Sequence, residues 1–184
     1  MKASLFGAAL LALGAFATPS LAVPIAAPGT EGYSVFATGG NVTATYHGST
    51  AAYNSLLFLN DTFIFDNKKD PLWATMDLGS FTAGQELVFR LYVINTDSSY
   101  FTGSPDRNAD GFAHARVESD WMDNMTLVSF EDLYGGPFDY NDLSFSFTNT
   151  MGADKMSAIP LPAGAPLLIA ALGGFAVMRR RKKN

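Results

Sequence analysis

ELVFRLYVIN, residues 86–95, is the stretch on which the fold turns. Leu87, Phe89, Leu91 and Val93 alternate onto one face, and the residues between them are also largely apolar. A strand apolar on both faces is expected to be central in its sheet. Working outward, further runs carry the same β-type composition. Residues 42–47 (VTATYH), 113–117 (AHARV) and 125–130 (MTLVSF) are short and rich in β-branched or aromatic side chains. Residues 55–59 (SLLFL) and 62–65 (TFIF) flank Asn60-Asp61, the composition of a hairpin. Residues 67–71 (NKKDP) read as a loop, because Pro71 punctuates them and disfavours helix just before it. In residues 143–148 (LSFSFT) apolar and hydroxyl side chains alternate strictly, which predicts one buried and one wet face. No window carries a convincing amphipathic helix, and 15 Phe with 17 Gly suit strands and turns. The expectation is all-β: an antiparallel β-sandwich, jelly-roll-like.

The two ends are of another kind. Residues 1–22 (MKASLFGAALLALGAFATPSLA) have one cation, a short apolar run, and small residues with Ser20 and Ala22 at the −3 and −1 positions of a cleavage site. They read as a secretory signal cut by signal peptidase after Ala22. Residues 159–178 are 20 residues without a charge, just long enough to cross about 30 Å of hydrocarbon. Arg179, Arg180, Arg181, Lys182 and Lys183 follow at once, and such a cluster stays on the cytoplasmic side. The expected organisation is therefore a signal peptide (1–22), a secreted β-domain (23–148), a linker (149–158) and a C-terminal transmembrane sorting segment (159–184).

Removing both ends leaves 136 residues, the size of one domain with a single core. All 17 acidic residues lie in this part but only six of the 12 basic ones, a net charge of −11. That excess disfavours nucleic acid and favours divalent cations wherever carboxylates converge. There is no Cys, so neither a disulfide nor a lipid-modified cysteine is available.

Two loops have the composition of cation sites. Asp106, Asn108 and Asp110, followed by Gly111, have the D-x-N-x-D-G spacing that turns alternate oxygens toward one hard cation. No helix is expected on either side, and the twelfth position is Val117, with Glu118 one place late, so the loop departs from an EF-hand and reads as a cation loop between strands. The second loop holds Glu131, Asp132, Asp139, Asn141 and Asp142 on either side of Gly135-Gly136-Pro137. Its two oxygen clusters can fold back onto one another, and carboxylate with amide is a Ca2+ ligand set. The same residue types are also the preferred turn formers, so plain β-turns are the competing reading. His114 is expected to bond a nearby carboxylate. Tyr100, Phe101, Trp121, Tyr134, Phe138 and Tyr140 crowd this region, as sugar-stacking rings or as loop packing.

Two resemblances follow from these residues. The order IPLPA, apolar span, basic tail resembles the PEP-CTERM class of sorting signals in its VPLPA variant: Pro160, Leu161, Pro162 and Ala163 match, and Ile159 replaces Val. The resemblance implies an exosortase-type membrane transpeptidase as partner, a Gram-negative cell that makes exopolysaccharide, and release to the cell surface. Residues 104–117 and 128–147 resemble the secreted bacterial domain family numbered 4114 among domains of unknown function. Arg107, Asn108, Asp110, Gly111 and His114 match its first motif; Phe130, Glu131, Asp132, Leu133, Gly135, Gly136 and residues 139–142 match its second. Pro137-Phe138 stand where that family carries an additional acidic residue. The expected function is a non-catalytic cell-surface or matrix protein with Ca2+-binding loops. A carbohydrate-binding or adhesion module is the alternative. A hydrolase using Glu131 and Asp139 as acid and base is the third reading, without any reaction-defining motif to support it.

Overall fold

The computed structural model describes residues 29–158. The expected signal peptide with Ala22, the expected sorting motif Pro160–Ala163, and the basic residues Arg179, Arg180, Arg181, Lys182 and Lys183 lie outside them. Among the described residues no helix is long and apolar enough to cross a membrane. They form antiparallel β-sheets, sandwich-like, with no α-helix.

Thirteen strands run along the described chain: β1 (Thr30–Glu31), β2 (Val35–Ala37), β3 (Gly40–Ser49), β4 (Ser55–Leu59), β5 (Thr62–Asp66), β6 (Thr75–Phe81), β7 (Glu86–Leu87), β8 (Phe89–Val93), β9 (Ser98–Phe101), β10 (Ala115–Met122), β11 (Met125–Phe130), β12 (Leu143–Thr148) and β13 (Thr150–Gly152). They make a six-stranded sheet in the order β1-β10-β11-β12-β3-β6 and a four-stranded sheet in the order β5-β4-β8-β9. A small sheet, β13-β2-β7, joins them. The opening stretch is split between two of these sheets. Glu86–Leu87 pairs with β2, whereas Phe89–Val93 lies inside the four-stranded sheet between β4 and β9. Leu87, Phe89, Leu91 and Val93 are nevertheless all fully buried, as their alternation predicts.

The hairpin at Asn60-Asp61 forms as read. Both residues have positive φ (47° and 64°), the twist that a two-residue turn needs to join right-twisted strands. The β3–β6 ladder carries a bulge. Val42 faces Gly79 while Thr43 faces Asp77, leaving Leu78 as the additional residue. Gly79 sits at φ +86°, a conformation that side chains with a Cβ resist, and its amide is capped by Asp77 Oδ1 at 2.8 Å.

The core lies between the two larger sheets. Phe145 on β12 packs against Tyr46, Phe65 and Phe130, with ring centroids 5.4, 5.9 and 6.3 Å away. Phe147 stacks on Phe89 across the interior. The remaining face of β12 departs from the expected wet surface: Ser144 and Ser146 are buried. β12 is interior to its sheet, and its hydroxyls are spent on neighbours. Ser144 Oγ bonds Ser129 Oγ at 3.0 Å, and Ser146 Oγ bonds His47 Nε2 at 2.7 Å, with His47 packed between the edges of Trp73 and Trp121. A small hydroxyl satisfied by another hydroxyl or an imidazole is inexpensive to bury. Residues 149–158, expected as a linker, instead extend the domain. Thr150–Gly152 pairs with Val35–Ala37, and Ala153–Ala158 continues as a 3-10 turn.

Phe145 joins both sheets, so Phe145→Ala leaves a cavity that neither can close. It is expected to cost about 3–5 kcal/mol, read as a lowered denaturant midpoint in equilibrium unfolding followed by tryptophan fluorescence.

Candidate metal centre

The second acidic loop connects β11 to β12, and strand register decides its geometry. Phe130 pairs with Leu143, so the next step beyond the ladder sets Glu131 opposite Asp142. The chain is held there by backbone bonds: Glu131 N–H donates to His114 O (2.9 Å) and Asp142 N–H to Phe130 O (3.2 Å). Asp142 O in turn accepts from Thr50 N–H at 3.0 Å. The turn between them uses Gly135 and Gly136 at φ +74° and +86°. At Gly136 a Cβ would come within 2.9 Å of the Phe138 ring, so a side chain there is excluded twice over.

Glu131, Asp132 and Asp142 each bring a carboxylate oxygen within 4.8 Å of the others. Among the described residues this is the one such group of His, Asp and Glu side chains. Glu131 is 1% exposed and Asp132 3% exposed, whereas Asp142 is half-buried and Asp139 exposed, so the centre opens on the Asp139–Asp142 side. Asp142 Oδ2 accepts from Asp132 N–H at 2.9 Å, and Glu131 Oε1 from Leu133 N–H at 3.2 Å. Glu131 Oε2 is buried without any hydrogen-bond partner. Burial first, then the Asp142 charge, push Glu131 up to about 8 and Asp132 up to about 7. Asp139 lies close enough to raise Glu131 further. The donors are all hard oxygens, with Ser55 Oγ 3.4 Å from Asp132 Oδ2, which fits Ca2+ and not a soft thiolate metal.

The other predicted ligands go elsewhere. Asn141 Oδ1 accepts from Thr50 Oγ1 (2.9 Å), and its amide donates to Asp139 Oδ2 (2.7 Å), so it braces the loop. The first loop does not gather its oxygens around a point. Asp106 is exposed. Asn108 Oδ1 accepts from Phe101 N–H (2.8 Å) while its amide donates to Phe112 O (2.7 Å). Asp110 Oδ1 accepts from Phe112 N–H (3.1 Å), and Oδ2 from Gly135 N–H (3.0 Å) and the His114 ring (2.8 Å). Burial opposes the Asp110 charge, but the Gly135 amide and His114 outweigh it and hold its carboxyl below the usual range.

His114 bonds a nearby carboxylate, Asp110, as expected from the sequence, and also reaches the second loop. It is fully buried, stacks on Tyr100 at 3.8 Å, and places Nδ1 3.0 Å from Glu131 O and Nε2 on Asp110. The ring bridges an oxygen of each loop. The Asp110–His114 pair thus ties the first loop to the start of the second, at Glu131, and to its turn, at Gly135. Tyr100 and Tyr140 are buried packing residues, while Tyr134 and Phe112 are exposed. No family model, no curated protein and no solved structure matches this chain.

The raised carboxyls set a pH dependence. An acid whose folded pKa exceeds its unfolded one binds more protons in the native state, so stability falls as pH rises between the two. The metal-free protein is expected to lose thermal stability from about pH 4.5 to pH 8, the window between the ordinary carboxyl range and Glu131. Glu131→Gln flattens that slope, since it is neutral throughout. A midpoint that rises from pH 5 to pH 8 in the wild-type chain contradicts the assignment.

Proposed function

We propose that the acidic centre of Glu131, Asp132 and Asp142, with Asp139 at its mouth, binds Ca2+ and locks the β11–β12 loop of an exported, non-catalytic surface protein. The observation that carries this reading is the buried, unpartnered Glu131 Oε2 facing two further carboxylates. A divalent cation offsets that repulsion and uses the orphaned oxygen. Burial of Glu131 and Asp132 suits an ion better than a sugar bond between an acid and a base, which supports binding over hydrolysis. The jelly-roll-type description rests on the crossover that inserts β3 between β12 and β6.

The exported location rests on the two termini as read from sequence: a cleaved signal ending at Ala22, and an IPLPA motif, span and basic tail addressed to an exosortase-type transpeptidase. In this reading the chain is tethered to the inner membrane, cut, and delivered to the cell surface of a Gram-negative cell, where exopolysaccharide is the candidate partner. The resemblance of residues 104–117 and 128–147 to the secreted domain family 4114, read from the sequence alone, motivates the same destination.

Calcium competes with protons for the same oxygens, so its affinity should rise between pH 6 and pH 8. Calorimetric titration of the full-length chain with CaCl2 reads this directly. Thermal melts should show a midpoint raised by calcium and restored by EGTA in the wild-type protein, and insensitive to both in Asp132→Asn. Absence of calcium heat, together with equal midpoints in calcium and EGTA, would falsify the metal reading. The sorting proposal has a separate readout: intact-mass measurement of the surface-released protein should find a species lacking roughly the last 20 residues, the length of a span.

A further inference from the structure

Beside the acidic centre, and separate from it, lies an open cleft of about 510 Å3. Its wall is β9, its floor the 3-10 turn at Pro105–Arg107, and its rim the side chain of Tyr134 from the β11–β12 loop. The volume falls within the range of small-molecule sites, about 300–1,000 Å3. Tyr134 is 67% exposed although it sits in a loop otherwise pinned by Asp110, His114 and Asp142. An aromatic ring held out by a fixed loop, beside a cavity, offers a flat apolar face that the backbone has already positioned.

The rest of the lining is polar in a particular way. Asp106 is exposed, and its carboxylate makes no hydrogen bond or ion pair among the described residues. Asp97 holds Tyr92 by one oxygen and keeps the other for a second donor. Ser99 adds a hydroxyl. The Tyr100 hydroxyl, with Ser98 alongside, is buried without a partner of good geometry. Arg107 supplies no free charge, because its guanidinium is forked onto Glu86 (2.8 and 3.2 Å) and also donates to Thr102 O. The cleft therefore presents an aromatic face, acceptors that suit neighbouring hydroxyls, and two carboxylates, Asp97 and Asp106, that no cation among the described residues offsets.

We propose that this cleft binds a neutral carbohydrate, with a pyranose ring stacked on Tyr134 and its hydroxyls held by Asp106 and Asp97. One apolar face and a rim of hydroxyl donors describe a hexose unit. The uncompensated carboxylates reject uronates and other anionic sugars. The proposal takes from the surface-protein reading only the source of the sugar, and the binding itself does not require calcium at the neighbouring centre.

Affinity electrophoresis of the full-length chain in mild non-ionic detergent tests it, with gels containing a neutral glucan, a neutral galactomannan or a polyuronate. The wild-type chain should be retarded in a neutral gel and migrate in the polyuronate gel as in a blank one. Tyr134→Ala, a change at an exposed side chain, should raise the apparent Kd about tenfold, the scale of a lost aromatic contact. Asp106→Ala should also weaken retardation. Wild-type migration unaltered by both neutral polysaccharides overturns the proposal, as does retardation that Tyr134→Ala leaves intact, or retardation confined to the polyuronate. The calcium titration reads the acidic centre independently, so failure of either site leaves the other interpretable.

Discussion

The pairing of β11 with β12 is the constraint on which the rest of the molecule depends. One ladder, from Met125↔Thr148 to Phe130↔Leu143, performs two tasks at once. It aims Phe145 and Phe147 into the interior, and it delivers Glu131 and Asp142 to the same point beyond its end. A slip of a single residue would turn every β12 side chain to the opposite face, putting serines in the core and separating the carboxylates. The hydrophobic demand for one register is therefore also what brings like charges together. The energy of burying the Phe cluster holds in place a centre that would, on its own, push apart.

The two loops that look alike in composition have unlike roles for the same reason. In the first, the side-chain oxygens of Asn108 and Asp110 each meet a backbone amide or the His114 ring and are satisfied inside the protein, while Asp106 stands exposed. In the second, hairpin closure sets carboxylate against carboxylate and leaves one oxygen with nothing to accept. The first loop behaves as a bracket: through Asp110 and His114 it fixes where the second loop begins and turns. Tyr134 inherits its position from that bracket, which is why an exposed ring on a long connection can still define the edge of a cleft.

Much of the β architecture is legible in the sequence because its signals are local. Alternation marks Leu87 to Val93 and residues 143–148, and Asn60-Asp61 announces its turn. What escapes is whatever depends on the other sheet. The break after Leu87 and the transfer of the chain between sheets leave no mark in an unbroken apolar run. The burial of Ser144 and Ser146 follows from the neighbours of β12, not from β12 itself. Strands such as β2 and β13 are too short to carry a period, and residues 149–158 look like a linker because Gly, Asn and Asp are turn residues wherever they fall. At the site, Glu131, Asp132 and Asp142 were within reach of sequence reasoning, since two strands meeting at a Gly-Gly turn align them by simple counting. The sequence also sent His114 to a nearby carboxylate, but it did not single out Asp110 or the Gly135 amide, because spacing says which oxygens are near and not which donors reach them first.

The irregularity between β3 and β6 has a consequence beyond local geometry. β6 forms the outer margin of the six-stranded sheet, where a row of amides and carbonyls faces outward. With Leu78 displaced, Gly79 left-handed and the Asp77 carboxylate folded over one amide, that row loses its even rhythm. A second polypeptide laid alongside finds donors and acceptors out of step and a negative charge among them. The kink thus works as a guard against strand-to-strand accretion.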